Sequence, residues 1–491
     1  MKRREFIAAG TTLAAYLPLR GLAADSKAAA DLPAKSLDGG DLVLSGSDVQ
    51  SFAASMRGEV LRQDHSSYDA RRRVWNAMFD RRPALIACCS GAADVRRAVD
   101  FAREHRLLTA VRAGGHSLSG KSTCEGGLVI DLQSMQGVRV DPKAQRAYLE
   151  AGSLLGQLDH ECAAFGLATT AGTVSHTGAA GLTLGGGFGR LGRRFGLACD
   201  NVASFDIVTA DGRFVRANDR ENPDLYWGLR GGGGNFGVVT EIEYRVHPLN
   251  PVILGGNVVW PLSQARDVIR FYRDITPTAP EEVHLEFGLM PTPDGRLCYI
   301  EVCWSGDHAK GEAWLAPLRR FGKPLRDDIA PIPYVRIQTS YDEPMANGQY
   351  NYAKSGFLAS LDDAGIDTIL DVYQRVPADF LLFFDPCDGA YWRVAPDATA
   401  FPNRKVMYWM GLLAVWPKPE GVEEKVAQIR SGWRDLQPLT RGFYTNMADS
   451  DTTMAGYRDN YGANLERLVA LKAKYDPMNL FRLNANVPPK I

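Results

Sequence analysis

The chain has 491 residues, 45% of them hydrophobic and 23% charged, with 49 Gly and 27 Pro. This is enough apolar mass for two or three domain-sized cores, and it excludes a disordered, collagen-like or coiled-coil protein. Lys plus Arg number 56 against 57 Asp plus Glu, a net charge of −1, so no whole-chain field favours a nucleic acid or an anionic membrane.

Residues 2–7, Lys-Arg-Arg-Glu-Phe-Ile, open an apolar, alanine-rich stretch to about residue 19, and Gly21-Leu22-Ala23 offers small residues suited to cleavage. Residues 1–30 read as a twin-arginine signal, too short to span a bilayer. They predict delivery to the periplasm or the exterior by the twin-arginine translocation machinery, with the cofactor already inserted. The eight cysteines are scattered with no C-x-x-C pair, which predicts neither a zinc site nor a disulfide framework.

From about residue 51 to 249, apolar runs at 84–87, 108–111 and 128–130 alternate with helical periodicity, clearest over 92–104, an α/β pattern. Glycine is dense from 172 to 196 and again from 231 to 234, ahead of the β-branched run Val238, Val239, Ile242. Two G-x-G-x-x-G matches, at 187–192 and 232–237, lack the strand before and helix after that a nicotinamide site needs, so none is predicted. From about residue 250 the pattern changes to α+β. Alternating segments 284–290 and 297–304 flank Pro293-Asp294-Gly295, helices are predicted near 310–321, 361–376 and 422–436, and apolar segments fall at 380–384 and 406–416. An antiparallel sheet follows from that spacing. The last fifty residues hold a helix near 464–474, stopped by Asp476-Pro477, too little for a core of their own.

The run AVRAGGHSLSG, residues 110–120, reads as a strand ending in Gly114-Gly115, where bare backbone N–H groups can converge on a pyrophosphate, with His116 at the edge. A plain turn with a hydrogen-bonded histidine fits the same residues.

Together with GTVSHTGAAGLTLGGGFGRLGRRFGLACDN (172–201), DLYWGLRGGGGNFGVVT (224–240) and YGANLERLVALKAKYDPMNLFRLNANVPP (461–489), this run resembles the berberine-bridge-enzyme-like oxidases of the vanillyl-alcohol-oxidase flavoprotein superfamily. The resemblance implies a two-domain α+β architecture. A PCMH-type FAD-binding domain of two α/β subdomains spans 51–249, a substrate domain with an antiparallel sheet spans 250–440, and a C-terminal segment, 441–491, completes the FAD domain. It implies an FAD-dependent oxidoreductase that takes a hydride from a secondary alcohol or sugar hemiacetal and is reoxidised by O2 or a quinone-like acceptor. A flavin-holding binder without turnover and an amine or alkaloid oxidase are the alternatives.

Carried over residue by residue, the resemblance makes His116 the covalent 8α-histidyl link to FAD. Val174 stands where relatives place a second, cysteinyl link, so one tether is expected. Arg112, Gly114, Gly115, Ser117, Thr177, Gly178, Ala179, Gly181, Gly185, Gly186, Gly187, Gly189, Gly237, Val238 and Asn486 are the implied FAD contacts. Tyr461, with Tyr457 as substitute, is the implied base, a tyrosinate. No carboxylate nearer than Asp397 precedes Phe401-Pro402-Asn403-Arg404, which argues against the glutamate base of the alkaloid branch. Lys354, Tyr352 and Tyr391 are the implied substrate contacts. Tyr334, Tyr341, Tyr350, Tyr408, Trp392 and Trp409 could serve a sugar face or a planar polyphenol, or simply pack. His160, His176 and His284 lie at no ligand spacing, and no metal is predicted.

Overall fold

The computed structural model describes residues 30–293, 295–449 and 452–490, so the predicted export signal, apart from Ala30, lies outside the described residues. Among those residues no helix is long and apolar enough to cross a membrane.

The first body is built around two sheets. In one, strands Leu85–Cys88 and Thr109–Arg112 both pair in parallel with Leu128–Asp131, and Val60–Leu61 joins Leu85–Cys88 antiparallel at the edge. Leu85–Cys88 and Leu128–Asp131 are buried along their whole length, which is why they read as unbroken apolar runs rather than alternation. The other sheet is antiparallel, in the order Phe214–Ala217, Val202–Thr209, Gly237–Arg245, Arg146–Glu150, Val138–Asp141. Helix Ala92–Glu104 has the predicted bounds and touches both sheets, burying Val95, Ala98, Val99 and Ala102.

The C-terminal helices Met454–Tyr461 and Asn464–Tyr475 add Leu465, Leu468 and Leu471 to this core. Lys472, fully buried, fastens them. Its ammonium donates to Asn235 O at 2.8 Å, Phe481 O at 2.9 Å and Asp476 Oδ2 at 2.7 Å, tying the turn after the helix to the second glycine cluster.

The second body is one antiparallel sheet in the order Arg326–Asp327, Val252–Pro261, Gly295–Trp304, Val283–Thr292, Phe380–Pro386, Tyr408–Trp416, Tyr350–Leu358. The hairpin predicted around Pro293-Asp294-Gly295 is its Val283–Thr292 and Gly295–Trp304 pair. Helices Ala265–Ile275, His308–Arg319, Asp363–Arg375 and Val422–Leu436 accompany this sheet, and the residues pointing toward them make the second core. Two long strands escape the sequence pattern. Val252–Pro261 is interrupted by Gly255-Gly256, and Tyr350–Leu358 contains Asn351, Ala353, Lys354, Ser355 and Gly356, all poor strand formers held there by pairing with Tyr408–Trp416. The face away from the helices turns to the first body, and the space between them is the site.

Candidate active site

A cavity of about 690 Å³ lies between the two bodies, its walls mostly apolar. The lower wall comes from the first body: the loop after strand Thr109–Arg112, the segment around 172–184, the turn at 233–234, the start of strand Gly237–Arg245, and residues 481–485.

Glycine does two different jobs along this wall. Gly114 and Gly178 face each other, and a Cβ built on either would lie 2.4 Å from the backbone nitrogen of the other, so these two let the two loops touch. At Gly181 and Gly234 a Cβ would meet nothing within 4 Å, so these bare positions border open cavity. Gly115, Ser117, Thr177, Gly237 and Val238 also line the cavity.

The other implied cofactor contacts lie off the cavity wall. A Cβ on Gly185 would run into Asn446, on Gly186 into Phe401, on Gly187 into Ala198 and Leu182, and on Gly189 to 1.6 Å from Ala171 O. All four sit where segments pack closely on one another. Ala179 is buried behind the wall, its N–H donating to Ser153 O at 3.0 Å, while Ala180 and Gly181 line the cavity. Arg112 is turned away, its guanidinium donating to Arg71 O. Asn486 follows the lining residues Leu483, Asn484 and Ala485, and its Oδ1 is buried without a partner.

His116 lines the cavity with its Nε2 buried and without a partner. Its ring stacks on Trp75, centroids 4.0 Å apart and planes 17° apart, and lies 5.1 Å from the His176 ring. Burial, with His176 adding to it, pushes the imidazole down to about 3, so it stays neutral and its lone pair is available. Trp75 is in turn pinned by its indole N–H donating to Met345 O at 2.6 Å, a bond that joins the two bodies. Val174 lines the cavity, whereas the eight cysteines are buried elsewhere.

The upper wall is the face of the second sheet turned away from its helices. Along Val283–Thr292, Val283, Leu285, Phe287 and Leu289 point into the helix-covered core, so His284, Glu286 and Gly288 point the other way. Glu286 stands opposite Glu301 in the register, and the pairing of Phe287 with Phe384 brings Asp385 alongside from the next strand. Glu286, Glu301 and Asp385 all line the cavity.

Tyr299 and Tyr341 each donate a hydroxyl to Glu286 Oε1 at 2.8 Å, and Gly288, opposite Tyr299, leaves room for that ring. Asp385 Oδ1 is buried without a hydrogen bond, 3.4 Å from His284 Nε2. Burial, reinforced by Glu301, raises Glu286 well above the ordinary carboxylate range, and burial with Glu286 beside it raises Asp385 likewise. Next to them stands an aromatic box: Phe188 stacked on Trp409 at 5.3 Å, with Phe383 and Tyr444 edge-on to Trp409, each at 4.9 Å. All four rings line the cavity.

The implied bases and substrate contacts fare unevenly. Tyr461 is 1% exposed, belongs to the core of the first body and does not line the cavity. Burial, then Tyr457, pushes its phenol up rather than down, so a tyrosinate there is disfavoured. Tyr457 is raised to about 12, by burial and then Asp449, and it accepts a hydrogen bond from the cavity-lining Lys121 at 3.3 Å. Lys354 is ion-paired with Asp449 and lies off the cavity wall. Tyr391 is buried behind the wall, its hydroxyl 3.4 Å from Gly189 O. Tyr352 does line the cavity, as do Tyr341 and Trp409, whereas Tyr334 and Tyr408 are core. The sequence reading missed the carboxylate wall. Its signal was present as polar residues alternating with apolar ones on two adjacent strands, a pattern that normally marks a solvent face.

Residues 83–218 match the family described as "FAD binding domain", and residues 443–488 match "Berberine and berberine like". An FAD-linked oxidoreductase of Dictyostelium discoideum is 31% identical over 448 residues, 90% of this chain and 97% of that protein. The chain belongs to the berberine-bridge-enzyme-like FAD-linked oxidoreductases. The (R)-6-hydroxynicotine oxidase of Paenarthrobacter nicotinovorans is 32% identical to this oxidoreductase over 89% of this chain and 98% of its own. The crystal structure of 6-hydroxy-D-nicotine oxidase from Arthrobacter nicotinovorans superposes with a TM-score of 0.82 at 29% identity, covering 89% of this chain and 99% of that one. The lower wall of this oxidoreductase fits FAD: bare positions at Gly181 and Gly234 border a large cavity, and the buried, unpartnered polar atoms Ser122 Oγ and Asn484 Oδ1 lie on residues that line it.

Proposed function

We propose that this oxidoreductase removes a hydride and a proton from a compact substrate bearing a CH–OH group, a secondary alcohol or a cyclic hemiacetal. Bound FAD would supply the hydride acceptor. The observation that carries the reading is the wall of carboxylates, Glu286 and Asp385, facing the FAD-binding loops across one cavity. A proton acceptor in a hydride-transfer reaction must be near the working pH to take the substrate proton and release it afterwards, and two carboxylates raised by burial, Glu286 further by Glu301 and Asp385 further by Glu286, meet that need. Tyr299 and Tyr341 fix Glu286 by occupying one of its oxygens. Phe188, Phe383, Trp409 and Tyr444 bind a flat apolar face and exclude water, which suits one ring or two better than a long oligosaccharide.

Within the same proposal FAD is tethered by His116 alone, with Val174 at the second position. The neutral, unpartnered Nε2 supports it. Residues 1–30 direct export through the twin-arginine route, the division at 51–249, 250–440 and 441–491 describes the domains, and O2 or a quinone-like compound takes the electrons.

A second reading, an amine in place of the alcohol, is favoured by one observation: neither Glu286 nor Asp385 accepts a hydrogen bond from an Arg or Lys among the described residues, so the pair could face a substrate cation. The similarity to an oxidase named for a hydroxylated nicotine points the same way. Mixing the enzyme without oxygen against a panel of alcohols, sugars and cyclic amines decides between them, since only the right class bleaches the flavin. No bleaching by any CH–OH compound alongside rapid bleaching by amines would replace the first reading with the second.

A further inference from the structure

The glycine run at 187–192, too poor a dinucleotide fingerprint, brings only Phe188 to the cavity wall, and its glycines have another use. Its glycines let the chain squeeze between neighbours: a Cβ on Gly189 would sit 1.6 Å from Ala171 O, and on Gly192 1.4 Å from the Tyr391 hydroxyl. What that passage delivers into the second body is arginine. Arg193 pairs with Asp388 and donates to the carbonyls of residues 279, 280 and 283, and Arg194 donates to Ser305 O.

Arg190 goes to the carboxylate wall. It is among the largest fully buried side chains, and its Nε and Nη2 grip Glu301 Oε1 and Oε2 at 2.6 and 3.1 Å. Its remaining donors go to Gln338 Oε1 at 3.2 Å and Ser340 Oγ at 2.9 Å, and its guanidinium lies 5.1 Å from the centroid of the Tyr341 ring. Arg190 therefore touches two groups that face Glu286: the carboxylate opposite it and one of the tyrosines that donate to it. Glu286 is also faced by Tyr299 and Asp385, with His284 on its own strand beside Asp385.

We propose that Arg190 is the positioning residue of the carboxylate wall: it fixes Glu301 as the ion-paired member of the Glu286–Glu301 pair and holds Tyr341 against Glu286, so that Glu286 is the one that exchanges a proton. The inference rests on the proton-acceptor reading above. Two carboxylates side by side do not both ionise without a compensating charge, and a forked guanidinium assigns that charge to one of them. Removing Arg190 leaves the pair uncompensated.

The test uses the FAD-loaded enzyme with no substrate. Infrared difference spectra taken along a pH series show the C=O band of each protonated carboxyl, and the band lost in Glu286→Gln is that of Glu286. Two opposite shifts of its midpoint, and their cancellation, are expected. In Glu301→Gln, where the like charge goes and the guanidinium stays, the midpoint falls by ~1 unit or more. In Arg190→Met it rises by ~1 unit or more. In the double variant Arg190→Met/Glu301→Gln the two changes largely cancel, which loss of a purely structural contact would not produce. Arg190→Lys, keeping the charge but not the fork, stays near wild type. If Arg190→Met does not fold, Glu301→Gln and Arg190→Lys decide. An unmoved midpoint in Glu301→Gln, or no band lost in Glu286→Gln, overturns the inference. Failure of the underlying reading looks different: there, Glu286→Gln is reduced by substrate as fast as wild type, whatever the infrared midpoints do.

Discussion

The two walls of the cavity are made in opposite ways. The lower wall is local. Short segments, the loops at Gly114-Gly115-His116 and Gly233-Gly234 and the helix start at Gly178 to Gly181, bring bare backbone and one neutral imidazole to the cavity, and each is written in consecutive residues. The upper wall is assembled across strands. Glu286, Glu301 and Asp385 come from three separate strands, and only the register puts them side by side. A wall built from consecutive residues should lose its function through changes in backbone space, whereas one built by register should lose it through changes in charge.

The largest effect is expected on the upper wall. Glu286→Gln keeps the shape and removes the proton acceptor, so anaerobic flavin reduction by substrate should fall ~10²- to 10⁴-fold with FAD still attached. The pH dependence has a definite sign. A carboxylate raised above its ordinary range works only when ionised, so the wild-type rate should climb with pH to a plateau, with its midpoint above the ordinary 4.5 of a glutamate, and fall away as pH drops through it. A flat profile from pH 5 to 9 would remove Glu286 from the reaction.

On the lower wall, His116→Ala should turn the flavin from chain-bound to releasable. After acid precipitation the yellow colour should move to the supernatant, with a smaller loss of rate than in Glu286→Gln. Colour that stays with the pellet would place the tether elsewhere.

A glycine pair then separates the two uses of glycine. Gly178→Ala puts a Cβ 2.4 Å from the Gly114 nitrogen and should destabilise the fold by ~1–3 kcal/mol, visible as a lower melting temperature of the apoprotein. Gly181→Ala, in helix Ala179–Leu184 with open space ahead of it, should melt at or slightly above wild type, since alanine favours a helix by ~1 kcal/mol. Its cost should appear only as weaker retention of FAD. Equal melting of the two variants would dissolve the distinction.

The smallest effect is expected at Tyr461. Its hydroxyl is buried and unpartnered, so Tyr461→Phe should leave flavin reduction within about threefold of wild type, under ~1 kcal/mol of barrier. A fall of a hundredfold would restore the tyrosine as base.

The contrast also explains which residues could be read early. His116 and its glycines declare themselves in one contiguous run, and helices Ala92–Glu104 and Val422–Leu436 end where their periodicity ends. Tyr461 is conspicuous for a local reason. It sits at the entrance to a recognisable motif, but the helix carrying it turns the ring into the core.

The sequence alone determined the family, the order of α/β and α+β segments, the hairpin made by Val283–Thr292 and Gly295–Trp304 and the histidine at the edge of the Gly114-Gly115 loop, because each of these is encoded by neighbours in the chain. Tertiary structure decided which glycines border the cavity and which only separate segments, since Gly181 and Gly189 look alike until their surroundings are known. It also decided that the polar faces of strands Val283–Thr292 and Gly295–Trp304 line the cavity between the two bodies, and that Arg190 ends beside Glu301, 111 positions away. Charge compensation in a buried cluster depends on distances of a few ångströms between remote residues, and no local pattern records those distances.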